Sequence, residues 1–249
     1  MLVPDLAGAL ADADGEPAIR RVAQAAWAGG ALPIVVVADD PSGALAGALV
    51  DAPVTLTLPA EGPPGIAWFV AGQRAAHAAV SDTTAGLLWP FRYAWVDPET
   101  VTSLVEAHGA TLEAIARPTY EGRPGFPILV PIALTERLAA KAGSQGAEAV
   151  AALIAEGVPE CNIELGDPGI VYDVATPRSE LPGYQGPPQP AAGRAPAGQA
   201  PAGEAPAGEA SAGEAPAGEA PAGEAPAGEA PEWNAELAAQ AQGSDEATT

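Results

Sequence analysis

Apolar and polar residues follow two alternating periods along the first 185 positions. Ile19, Val22, Ala23 and Ala26 recur at i, i+3, i+4 and i+7, which places them on one face of a helix that Gly29-Gly30 ends. Ile34-Val35-Val36-Val37 is apolar without interruption and is closed by Asp39-Asp40-Pro41, the mark of a strand covered on both faces of a parallel sheet. Residues 54–58 predict a further strand, 65–80 a helix and 85–89 another strand. Asp97-Pro98-Glu99-Thr100 predicts a helix start: Asp97 can cap free amides, Pro98 suits the first helical position, and Glu99 favours the positive end of the dipole. Val101, Leu104 and Val105 are expected to form that helix's buried face, and Gly109 to end it. Residues 128–130 read as a strand between prolines, and Val150, Leu153 and Ile154 as a helix stopped by Gly157. Residues 162–165 and 170–174 read as paired short strands. Roughly five to seven strands joined by crossover helices imply a mostly parallel sheet with helices on both faces. In such a fold ligands bind outside the carboxyl ends of the strands, here just after Val37, Trp89, Ala116 and Val174.

The pattern stops near residue 186. From Ala195 the pentapeptides APAGQ, APAGE, APAGE and ASAGE follow one another, then APAGE three more times before Pro231. Such repeats carry a glycine each, and almost all a proline, but no β-branched or aromatic side chain, so nothing offsets the entropy of ordering. The expected organisation is therefore a globular domain over residues 1–185 and a disordered acidic Ala-Pro-Ala-Gly-Glu repeat tail over 186–249. Trp233, in the stretch APEWNAELAAQAQ, marks the place where the tail could fold as a short amphipathic helix on a protein partner.

Charge narrows the function classes. The chain carries −22, of which −13 falls in residues 1–185 and −9 beyond. A domain so acidic repels phosphate backbones, so nucleic acid is not an expected partner, whereas a single nucleotide held locally by arginine and Mg2+ is compatible with it. The one cysteine, Cys161, cannot close an internal disulfide and fits a reducing compartment. The stretch MLVPDLAGALADADG has no basic residue ahead of an apolar run, and no apolar run nears the length of a membrane span, so we expect no secretory leader, no membrane insertion and a cytoplasmic location.

Three segments carry a family resemblance. DGEPAIRRVAQAAWAGGALPIVVVA (14–38) resembles a "GxP" motif followed by helix and second strand. VDPETVTSLVEAHGATLEAIARPTYEGRPGFPILV (96–130) resembles a strand, helix and "G-H-P" segment, and ELGDPGIVYDVATPRSEL (164–181) a closing "D-I-D-T-P-E-D-L". Together, and in this order, they resemble the MobA-like nucleotidyltransferases, which attach a nucleotide to molybdenum-cofactor pterin or related acceptors. The resemblance implies a three-layer, Rossmann-like nucleotidyltransferase domain, and attack of an acceptor phosphate on the α-phosphate of an NTP with release of pyrophosphate. That chemistry needs a glycine-rich loop with Arg and Lys, and carboxylates holding Mg2+.

The residues at those positions depart from the pattern. Leu6-Ala7-Gly8-Ala9-Leu10-Ala11-Asp12 stands where the glycine-rich loop should be, with one glycine and no cation. The metal-binding aspartate aligns with Arg92, the "G-H-P" histidine with Phe126, and the second aspartate of the closing motif with Ala175, leaving Asp173. No catalytic residue is assigned. Arg92 and Arg123 are the candidate nucleotide contacts, Arg92 being alternatively an ion-paired or stacked arginine. Asp173 is the candidate metal ligand, or else a hydrogen-bonding group around Thr176-Pro177. Mg2+ is expected only if nucleotide binding persists. The resemblance thus leaves two readings, a divergent nucleotidyltransferase with its catalytic motifs largely lost, or an inactive accessory or interaction protein, with molybdoenzyme maturation as the setting the lineage suggests. An apolar ligand in a vacated pocket lined by Trp68, Trp89 and Phe126 is a third class. Arg20-Arg21, His77 and His108 read as solvent-facing helix residues.

Overall fold

The computed structural model describes residues 1–186. The tail expected to be disordered, with its repeats and the segment around Trp233 expected to dock on a protein partner, lies outside the described residues. The elements run β1 (Leu2–Val3), α1 (Leu6–Ala9), α2 (Ala18–Ala28), β2 (Ile34–Ala38), α3 (Ala44–Ala48), β3 (Val54–Thr57), α4 (Ile66–Ala79), β4 (Ala85–Leu88) and α5 (Pro98–Ala110). There follow β5 (Ile115–Tyr120), β6 (Arg123–Pro124), β7 (Ile128–Pro131), α6 (Thr135–Ala139), α7 (Gly146–Ala155) and β8 (Glu160–Glu164).

Strands β1, β2 and β3 form a parallel sheet in the order β1-β2-β3. A second sheet runs β4-β7-β5, with β6 and β8 also pairing β5. Leu2 bridges in parallel to Pro90, just past β4, and so links the two sheets. β7 is antiparallel to β4 and β5, and β8 is parallel to β5, so this second sheet is mixed, while the first is parallel throughout, within the mostly parallel arrangement the periodicity predicts. Every residue of β2 is buried, and because side chains alternate across a strand it feeds two cores. Ile34, Val36 and Ala38 pack with Ile19, Val22 and Ala26 of α2 on one face. Val35 and Val37 meet Trp68 of α4 on the other. The result is the three-layer α/β architecture that the alternation of periods predicts.

α2 ends at Gly29 as expected, and the glycine is needed for packing: a Cβ there would stand 2.4 Å from the Cβ of Val101 on α5. α5 starts as predicted, with Asp97 Oδ1 accepting from the Glu99 amide at 2.9 Å. Its buried face differs from the expected one. Thr100, Val101, Leu104 and His108 are buried, while Val105 is 41% exposed and the helix passes through Gly109 to Ala110. His108 stands at i+7 from Val101 and so turns inward with it, contrary to its reading as a surface residue; His77 is exposed.

Residues 170–174 do not form a strand. Pro168–Ile170 is a 3-10 turn capped by Asp167, and β8 takes β5 as its partner instead. The reason is the Asp167 carboxylate, 2% exposed, which accepts from the Asp97 amide, the Thr100 hydroxyl and the Gly169 amide at 2.9, 2.7 and 2.8 Å. Extended backbone at 167–169 would strip these donors of their acceptor, and Pro168 has no N–H to give a ladder. No helix among the described residues is long and apolar enough to cross a membrane.

Candidate functional site

Leu2 of β1 bridges in parallel to Pro90 after β4, so the segments that follow these two strands start side by side. A cleft of about 580 Å3 lies there. Pro4, Asp5 and Gly8 line it from the β1 side, Pro90 to Tyr93 from the β4 side, and Phe126, Gln145, Gly146 and Asp173 to Ala175 complete the wall.

The β1 side is where a phosphate would meet backbone amides. Here Asp5 caps the four-residue α1, with Oδ1 and Oδ2 each accepting at 3.1 Å, from the amides of Ala7 and Gly8. The Asp5 carboxylate therefore takes up the two amides at the start of α1. Gly8 is also roofed over, since a Cβ on it would meet Asp5 Oδ2 at 2.6 Å and the Phe91 ring at 2.9 Å. The sequence carries the signal for this cap, an aspartate directly after a strand and proline, but not the fact that it consumes the loop's amides.

On the β4 side the indole N–H of Trp89 donates to the Tyr93 carbonyl at 3.0 Å and fixes the turn that carries Arg92. Arg92 Nη2 reaches Asp173 Oδ2 at 3.0 Å, while Asp173 Oδ1 accepts from the Ala175 amide at 3.0 Å. The backbone repeats the link, the Val174 amide donating to the Arg92 carbonyl at 2.7 Å. The candidate nucleotide contact and the candidate metal ligand are thus brought together from 81 residues apart and are each other's partner. One Asp173 oxygen is held by a guanidinium and the other by an amide, and among the described residues no group of three or more His, Cys, Asp or Glu side chains gathers around it, so the residues present do not make a divalent-cation site. Arg92 nonetheless remains 59% exposed. Tyr93 stacks on Phe126, ring centres 4.8 Å apart and planes inclined by 27°, forming an aromatic wall.

Arg123 is not in the cleft. Its guanidinium lies 5.6 Å from the ring centre of Tyr172. The three aromatics expected to line one vacated pocket are not brought together: Phe126 lines the cleft, Trp89 is buried beneath the turn and borders a separate cavity, and Trp68 packs into the core against Val35 and Val37. Arg20 and Arg21 are not simply a solvated face either. Arg20 donates to the carbonyls of Ala48 and Val50 at 3.1 and 2.9 Å, and Arg21 lies over the Trp95 ring. Cys161 is half-buried on β8.

The three-layer α/β domain thus carries its cleft beside the carboxyl ends of β1 and β4. The family described as the MobA-like NTP transferase domain matches residues 8–158, and the chain belongs to it. No curated protein matches. Among solved structures, the chain is similar to a nucleotidyl transferase from Methanothermobacter thermautotrophicus, with 18% identity, 63% of this chain and 74% of that one covered, and a TM-score of 0.53. It is also similar to the Rv0371c protein of Mycobacterium tuberculosis H37Rv in complex with manganese, with 18% identity, coverage of 66% and 85%, and a TM-score of 0.50. A CMP:2-keto-3-deoxy-manno-octonic acid synthetase complexed with CTP gives 12% identity, coverage of 64% and 83%, and a TM-score of 0.50.

Proposed function

We propose that this chain is a MobA-like domain that no longer activates an NTP and acts by binding, as an accessory or interaction protein, with molybdoenzyme maturation the setting its lineage suggests. The observation that carries this reading is the Asp5 carboxylate on the amides of Ala7 and Gly8. A triphosphate entering there would have to displace a covalently tethered anion and then face its charge, with no Lys or Arg on the loop to offset it. The Arg92–Asp173 pair acts in the same direction, because a carboxylate already neutralised has little left to offer a metal ion. A cytoplasmic setting belongs to this reading and is supported by the single cysteine.

A second reading, retained nucleotide binding without catalysis, is favoured by one observation. Arg92 is exposed at the cleft beside the Tyr93–Phe126 stack, a cation next to an aromatic wall. Incubation of the full chain with CTP, GTP or ATP, Mg2+ or Mn2+, and a pterin acceptor is expected to release no pyrophosphate above background. Turnover with any of them would overturn the proposal. Calorimetric titration with the same nucleotides then separates the two readings: saturable heat that disappears in Arg92→Gln selects the second.

A further inference from the structure

Cations are scarce in this acidic domain and most are spent. Arg74, Arg92, Arg117 and Arg137 each pair with a carboxylate, and Arg20 is consumed by two carbonyls. Arg21 and Arg178 form no ion pair among the described residues, yet they converge on one side chain. Their guanidinium carbons lie 5.1 and 5.9 Å from the ring centre of Trp95. Trp95 is buried and fixed, its indole N–H donating to the carbonyls of Asp173 and Thr176 at 3.2 and 3.0 Å. Burial, and after it the repulsion of the like charge on Arg178, holds Arg21 below the usual guanidinium range. Asp14 and Glu16 act on Arg21 in the opposite sense but make no ion pair with it.

From this convergence we propose that Arg21 and Arg178, seated on Trp95, form a binding site for the phosphomonoester group of a small molecule, outside the cleft. Two guanidinium forks match a dianion in charge and offer paired N–H donors to its oxygens, and the indole restrains both side chains. Neither arginine lines the cleft. The acidic margin of Asp14 and Glu16, with the −13 of the domain, disfavours extended polyanions and anionic surfaces and leaves a compact, singly phosphorylated ligand as the fitting class. The site is one hydrogen bond from the cleft, because the Trp95 indole holds the carbonyl of Asp173, whose carboxylate pairs with Arg92.

The test is titration of the full chain with inorganic phosphate at constant ionic strength, followed by tryptophan fluorescence and by phosphorus NMR line width. Acetate serves as the monoanion control. Wild type is expected to saturate with phosphate and not with acetate. Arg21→Gln and Arg178→Gln should each weaken binding about tenfold and the double variant should abolish it, while Arg74→Gln, at a surface ion pair with Glu136, leaves it unchanged. Arg21→Lys keeps the charge but loses the fork, and is expected to fall between wild type and Arg21→Gln. Non-saturating phosphate binding, equal binding of acetate, or loss in Arg92→Gln with retention in Arg21→Gln and Arg178→Gln would each overturn the proposal. The last outcome would place the anion in the cleft instead.

Discussion

Arg92 shows how much one side chain decides. Where the sequence resemblance implies a metal-binding aspartate, this chain has a guanidinium, and the structure pairs it with Asp173 at 3.0 Å. Exposed ion pairs contribute about 0–1 kcal/mol, so the pair does little for stability. Its effect is on chemistry, since it turns a carboxylate that could hold a cation into a neutral contact. Arg92→Asp would place a second carboxylate beside Asp173. That variant is expected to gain saturable Mn2+ binding, read by electron paramagnetic resonance of free Mn2+, whereas wild type and Arg92→Gln show none. Mn2+ binding by wild type would contradict the neutralised-pair account. Asp173 was legible in the sequence as either metal ligand or hydrogen-bonding group, and Arg92 as either anion contact or ion pair. Their pairing was not legible, because it joins a turn after β4 to the closing segment through tertiary contact alone.

α5 illustrates what an element adds. Its start could be read from Asp97-Pro98-Glu99, because capping is a local matter of amides, dipole and a fixed φ. Its buried face could not be read with the same accuracy. Val101 and Leu104 are consistent with either Val105 or His108 as the next inward position, and hydrophobicity alone favours valine. The underlying strands settle it, for His108 lies 3.1 Å from the Thr84 hydroxyl through Nε2, and Val105 faces outward. Burial pushes the His108 pKa below its ordinary value of 6.5. The folded state therefore binds fewer protons than the unfolded state as pH falls through about 6.5, so the His108 contribution is complete above that pH and is lost below it. Urea midpoints measured from pH 7.5 down to pH 5.5, a range of about two units around the histidine value, should fall more steeply for wild type than for His108→Leu. Equal slopes would show that His108 is not the group responsible.

Among the described residues, Leu2 bridges Pro90 between the two sheets, and the cleft lies beside that bridge, lined by the segments that follow β1 and β4. The core is built on both faces of β2 from residues within 1–185. We therefore propose residues 1–185 as an autonomous folding unit. Removal of residues 187–249 is expected to leave the urea-unfolding free energy within about 0.5 kcal/mol of the full chain. A larger loss would show that the domain boundary is misplaced.

The sequence by itself determined the alternation of helices and strands, the fully buried β2, the caps at Gly29 and Asp97, the acidic balance and the family. Each rests on local periodicity, local hydrogen bonding or composition, which a linear reading contains. The tertiary structure alone decided that β7 runs antiparallel, that 170–174 is not a strand, and that His108 faces inward. It also decided that Asp5 takes up the amides of Ala7 and Gly8, that Arg92 and Asp173 pair, and that Arg21 and Arg178 share Trp95. These depend on which distant backbone and charge each group meets after folding. In a chain of −22, the few cations take their roles from those meetings.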